Sequence, residues 1–304
     1  MYYATSALLR FPAQKKPLKP SSNPFDETLI WRLKALLPIP ASSPAATIPL
    51  SWISLVADLL VLTLAYASAI ISDPAISDSD ALSDYLDASV ALLDDCNAIS
   101  AEIDRVARSR LYLRLALHHL SASPPNLPRA KELIAKWERS PGGGALKASV
   151  HLGEAPRGKV SVVRRAIYAV EAVSSLVAGS VAAVLGGGET KDLDRIHVSN
   201  DSYPWAPAFN KVLAAVSERA KAGPVDEVAA VEAAVRRLTA VIDGKEEGME
   251  ERLPGMVEET EKTMEAMLGA MDRLAEAISG VFRAAYKTRK AALQSFRISF
   301  HQCN

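Results

Sequence analysis

Apolar residues recur along this chain every three to four positions, and no stretch of useful length alternates one by one. From Leu82 onward, Tyr85, Leu92, Ile99, Val106, Leu113 and Leu120 fall seven apart, and Leu82, Cys96, Ile103 and Leu117 form a companion stripe. Such a heptad gives a long helix one apolar seam, which must be buried against other helices. The same pattern returns near the C-terminus in Val257, Met264, Met271, Ile278, Ala285 and Ala292, with Met267, Leu274 and Val281 beside them. No alternating run is bounded by Asn-Gly or Asp-Gly turns, so strands have no candidates. The expected fold is all-α, an elongated multi-helix bundle with long heptad-patterned antiparallel helices.

Proline and glycine divide the pattern into elements, because proline breaks helix interiors and glycine favours helix ends. Asp26 to Leu37 reads as a short helix stopped by Pro38 and Pro40. Ser51 is placed to cap a very apolar helix running to Ile71, which Asp73-Pro74 ends. After the Leu82 to Leu120 helix come Pro124, Pro125 and Pro128, a short helix to Trp137 and a flexible glycine-rich linker from Pro141 to Gly158. A second apolar helix, Val160 to Leu185, is closed by Gly186-Gly187-Gly188. Pro204 and Pro207 flank the next helix start, Gly223-Pro224 precedes a helix ending near Gly244, and Pro254 starts or kinks the last one. The domain expectation is a tail over 1–24, one helical domain over 25–297 with loops near 38–49, 140–158 and 186–204, and a C-terminal tail over 298–304.

Two of these helices reach bilayer length: Trp52 to Ile71 with Asp58 as its single charge, and Ala166 to Leu185 with Glu171 as its single charge. An acid near the centre of a span is costly, and Ala, Ser and Gly offer little transfer energy, so buried helices of a bundle are the better fit. Arg157, Lys159, Arg164 and Arg165 form a basic collar beside the second segment, which leaves peripheral membrane contact near 157–185 open.

Composition adds a bound. With 49% hydrophobic residues the chain can bury a substantial core, and 35 basic residues balance 35 acidic ones. No excess charge points to nucleic acid, and the 6% aromatic content offers no stacking platform for it. Locally, Lys245 to Glu276 holds ten acids against four bases, and five bases with no acid follow. Acids early and bases late in one helix complement its dipole. Cys96 and Cys303 make neither a disulfide framework nor a paired zinc ligand set, and a reducing, cytoplasmic setting with membrane association as an option is expected. Arg10, Lys15, Lys16 and Lys19 give a basic, acid-free tail that reads as disordered, with an organelle transit segment as the alternative.

Candidate chemistry is sparse. His118 and His119 are adjacent on a helix, so they point about 100° apart and cannot present two ligands together. Asp94 and Asp95 share that geometry, and Asp94 reads as a polar edge. Gly186 to Lys191 lacks the phosphate-loop spacing and follows a helix, not a strand. No nucleophile elbow, metal-binding helix motif or dinucleotide fingerprint is present. Neither catalytic residues, cofactor nor metal is expected. The Met264, Met267 and Met271 stripe reads as core before it reads as an adaptable groove. An enzyme or a carrier of apolar ligands would need a pocket between helices with convergent polar groups.

Three blocks carry a resemblance: Leu50-Ser-Trp52; Tyr85-Leu-Asp-Ala-Ser-Val-Ala-Leu-Leu-Asp-Asp-Cys-Asn97; and Leu115-Ala-Leu-His-His-Leu120. With Lys159-Val160, Ala166-Ile-Tyr168, Trp205, Phe209, Val281-Phe282, Thr288-Arg289 and Leu293, the chain over about 25–297 resembles the plant BYPASS family, including its ROH-type relatives. The resemblance implies a plant regulatory protein without known catalysis, acting in root and shoot development by restraining a root-derived mobile signal that arrests shoot growth. Its ROH-type branch implies an adaptor that binds Exo70 subunits of the exocyst in polarised secretion. The family brings no active site to carry over. A chloroplast or endoplasmic reticulum location is the alternative to the cytoplasmic one. Asp87, Asp94, Asn97, Arg164 and Arg165 are the candidate interaction or register positions, the first three because packing alone does not dictate polar residues there.

Overall fold

The structure, a computed structural model, describes residues 23–39, 47–73, 75–76, 78–139, 146, 152–156, 160–185, 192–200, 203–221, 225–244 and 249–302. The tail over 1–22, most of the glycine-rich linker, Arg157, Lys159, the segment Gly186 to Lys191 and Cys303 lie outside the described residues. Among the described residues, regular structure consists of α1 (Pro24–Ala35), α2 (Leu50–Ile71), α3 (Ser79–Leu120), α4 (Leu127–Arg139), α5 (Val162–Leu185), a 3₁₀ turn (Leu193–Arg195), α6 (Ala206–Ala220), α7 (Asp226–Asp243) and α8 (Met249–Gln302). The fold is an all-α multi-helix bundle, as the heptads require.

Local chemistry sets most of the boundaries. Asn23 caps α1 through its side-chain oxygen on the Phe25 N–H at 3.2 Å, with Pro24 in the first turn, where its missing N–H costs nothing. Asp78 caps α3 on the Ala81 N–H at 3.0 Å. Three expectations are corrected. Ser51 is not the cap of α2: the helix starts at Leu50, Pro49 stands at the cap position without a side-chain bond, and Glu227 supplies the acceptor from α7. Pro254 does not start α8, which begins five residues earlier at Met249 and carries the proline inside. Residues 298–302 are not tail, because the backbone of α8 remains helical through Gln302.

The two heptad helices run through two apolar cores. One core gathers α1, α2, α5 and α6 around the first half of α3 and the second half of α8, and includes Trp52, Tyr85, Trp205, Phe209 and Leu274. The other joins Leu113 and Leu117 of α3 to Leu133 of α4, Leu238 of α7 and Met264 of α8. Met264, Met267 and Met271 are all buried, so this stripe is core and no open groove. These pairings make α3 and α8 antiparallel. α2 and α8 instead run parallel: the Thr288 hydroxyl donates to the Leu64 carbonyl at 3.2 Å and the Ser295 hydroxyl to the Ile71 carbonyl at 2.6 Å. α2 and α5 are long and apolar enough to cross a membrane by length and composition, yet α5 is buried by protein along most of its length and α2 along half of its apolar stretch.

Candidate functional site along helix α3

α3 presents two features on different sides. On its outer side Asp87, Val90, Asp94 and Asn97, spaced three to four residues apart, form one exposed row. The row continues through Asp104 and Arg108 to Leu111, Tyr112 and Leu115, which are 57%, 41% and 43% exposed. Large apolar side chains at that exposure, in contact spacing on one helix face, make a patch that solvent does not favour. The ridge therefore passes from acidic and polar at one end to basic and apolar at the other.

On its inner side α3 lies beside α5. The start of both helices is tied at one point: the Ser161 hydroxyl donates to the Asp78 carboxylate at 2.5 Å and itself accepts the Arg164 N–H at 3.1 Å, so each cap supports the other. Burial pushes the Asp78 carboxyl up, but the Ser161 hydroxyl, the Ala81 N–H and Arg164 outweigh it and hold its pKa below the usual carboxylate value. The tie sets a parallel register in which small residues oppose each other, Ala88 and Ala91 against Ser174 and Ser175, with Glu171 beside them. Short side chains on both sides leave a cleft of about 280 Å³.

That cleft is lined by apolar groups, Leu92 and Val170 among them, and by the polar Ser89, Asp95, Glu171, Ser174 and Ser175. Glu171 is drawn above the ordinary carboxyl value by burial and by the nearby Asp84 charge, with Arg164 opposing. Tyr85, 1% exposed, also lines it, and the Ser174 hydroxyl has no hydrogen-bond partner among the described residues. Burial raises the Tyr85 phenol, against the pull of the Thr288 hydroxyl and Arg289. Behind it Arg289 donates to the Ser89 hydroxyl at 2.6 Å and to the Leu86 carbonyl, fastening α8 to α3. Cys96 is buried next to Asp95, and burial first, then the Asp95 charge, pushes its thiol up to about 12, far from a nucleophilic thiolate.

The expected positions divide accordingly. Asp87, Asp94 and Asn97 share the exposed row, where a residue cannot set the register of a buried seam; that reading of Asp87 and Asn97 is corrected. Arg164 lies 3.5 Å from Asp84 and 3.9 Å from Asp78. Arg165 binds the buried Asp26 of α1 at 2.9 Å, with its guanidinium 5.1 Å above the ring centre of Tyr203. Tyr203 in turn stacks on Tyr168 and leans on Trp205, which meets Phe209 edge-on. The two described arginines of the basic collar thus already face carboxylates of their own chain. His118 is exposed and His119 half-buried, with ring centres 6.0 Å apart. Asp95 and Ser174 were not among the expected site residues, since a helical pattern marks which side is apolar but not which neighbour it meets. A lone acid in a twenty-residue apolar run was the one visible sign of Glu171.

No family model and no solved structure matches the chain. It is 31% identical over 243 residues to UPF0496 protein 4 of Oryza sativa subsp. japonica, an overlap of 70% of this chain and 52% of that one. The protein of the same name in Oryza sativa subsp. indica is 32% identical over 243 residues, with the same shares. Protein BPS1, chloroplastic, of Arabidopsis thaliana is 32% identical over 213 residues, which are 64% of this chain and 60% of that one. The chain spans about half to three fifths of the length of these curated relatives.

Proposed function

The chain is a plant protein of the BYPASS type, and on that premise we propose that it is a non-enzymatic regulator of root and shoot development that works by binding protein partners and restrains production of a root-derived mobile signal. The observation that supports partner binding is the ridge of α3. Asp87, Asp94 and Asn97, which carry the family resemblance, stand on solvent-facing positions that the core does not need, and the exposed Leu111, Tyr112 and Leu115 continue the same row. Residues kept off the seam while an apolar patch stays open are the composition of a docking surface.

The test pairs a surface variant with a growth phenotype. Leu111→Glu combined with Tyr112→Glu, expressed in plants lacking this gene and its close paralogues, fails to restore growth and loses its captured partners, while its melting temperature stays within a degree or two of the parent. Normal root and shoot growth in the full knockout overturns the developmental role, and full rescue by the double variant overturns the ridge. Binding to Exo70-type exocyst subunits rests on the resemblance alone, and a pull-down with the folded chain decides it. For location, the name of the Arabidopsis relative and the basic, acid-free first 24 residues support a chloroplast reading against a cytoplasmic one. A fluorescent fusion of the full chain separates the two.

A further inference from the structure

We propose that the cleft between α3 and α5 binds a small organic cation, an amine whose ammonium group pairs with Glu171 and whose apolar body lies against Leu92 and Val170. This is a site for a small molecule and is independent of the docking ridge, which faces another side of α3.

The chemistry of the lining selects the ligand. Among the described residues two carboxyl groups, Asp95 and Glu171, line the cleft and no basic side chain does. Arg164, the cation that acts on Glu171, sits outside the lining with Asp78 and Asp84 as its own carboxylate neighbours. An anion meets no positive charge among the described lining residues, and a cation finds a carboxylate in a desolvated setting where the pairing is stronger than in water. A metal ion is a poorer fit than an amine: hard cations ask for six or more oxygen ligands, and no group of three or more His, Cys, Asp or Glu that could hold a metal ion is found among the described residues. An amine needs one carboxylate and one or two further acceptors. The Ser174 hydroxyl has no hydrogen-bond partner among the described residues and stands three residues from Glu171 on the same helix. A buried hydroxyl without a partner carries a penalty that a ligand donor removes. The volume, about 280 Å³, sits near the lower edge of ordinary ligand pockets.

Calorimetric titration of the full chain with 2-phenylethylammonium tests the proposal, with 2-phenylethanol and 3-phenylpropanoate as ligands of the same body lacking the positive charge. The ammonium is expected to bind at least tenfold more tightly than either. Glu171→Gln, which keeps the shape and removes the charge, lowers that affinity at least tenfold with helicity and melting retained. Ala91→Leu fills the cleft and abolishes binding through a different residue. Affinity for the ammonium also falls as pH is lowered through the raised pKa of Glu171, because the neutral carboxyl no longer pairs. Absence of binding to the folded parent chain, equal binding of the alcohol, or affinity unchanged by both substitutions overturns the site. The ridge variant Leu111→Glu/Tyr112→Glu binds the ammonium normally, so loss of partner binding and loss of ligand binding are separable.

Discussion

The Asp78 carboxylate ties the caps of two helices that are 83 residues apart in sequence: one oxygen accepts the Ala81 N–H at the start of α3, and the other accepts the Ser161 hydroxyl, which caps α5, at 2.5 Å. Removing it leaves α3 without its cap and takes the support from Ser161. Asp78→Ala is expected to cost roughly 1–3 kcal/mol, one cap plus one lost hydrogen bond, measured by urea unfolding; an unchanged midpoint refutes the tie.

That carboxyl has its folded pKa below the ordinary aspartate value. A depressed acid contributes stability that is present above the unfolded pKa and lost as pH falls through the folded one. The parent chain therefore loses stability on acidification below about pH 4, the ordinary aspartate range, and Asp78→Asn loses less over that interval. Parallel pH profiles of melting temperature for the two proteins would contradict this.

At Leu50 the helix cap comes from a distance. Its N–H donates to both carboxylate oxygens of Glu227, at 3.2 and 3.0 Å, while Thr47 bonds Asp226 beside it. Glu227→Ala is expected to destabilise by about 1 kcal/mol, the cost of losing an N-cap, and Glu227→Gln by less, since the amide still accepts one bond. Hydrogen exchange at the first turn of α2 rises in the alanine variant. Exchange that stays protected there means the carboxylate is not the cap.

The Arg165 to Asp26 pair joins α5 to α1. Burial raises the Asp26 carboxyl above its ordinary value despite the coulombic pull and hydrogen bond of Arg165. An acid with a raised folded pKa adds stability that is fully present below the unfolded pKa and lost as pH rises through the folded one. Arg165→Met strands a buried charge and is expected to cost roughly 3 kcal/mol at neutral pH, the low end for a broken buried pair, with the deficit shrinking as pH is lowered and Asp26 takes up a proton. A deficit that grows on acidification overturns this account.

Two of the glycines inside α8, Gly255 and Gly280, have room for a methyl group. A Cβ at Gly255 meets nothing within 4 Å, and one at Gly280 meets Val61 Cγ2 at 3.6 Å, an ordinary contact. Alanine at each is expected to stabilise by about 0.5–1 kcal/mol, because glycine loses more backbone entropy in a helix. The gains should add, the sites being seven turns apart; a loss at Gly280 would mean the α2–α8 packing is tighter than 3.6 Å allows.

By itself the sequence determined that the chain is helical and which face of each long helix is buried. Leu92, Ile99 and Ile278 had to lie inward, because a 3.6-residue period puts heptad positions on one side and water rejects that side. It also carried the family resemblance. Only the tertiary structure decided what meets what. Glu227 caps α2 in place of Ser51, Asp94 faces solvent while its neighbour Asp95 turns inward, and Ala88 comes opposite Glu171 to open a cleft. Each depends on register between helices far apart in the chain. Local periodicity carries no information about that register, which is set by long-range ties such as Asp78 to Ser161 and Arg289 to Ser89.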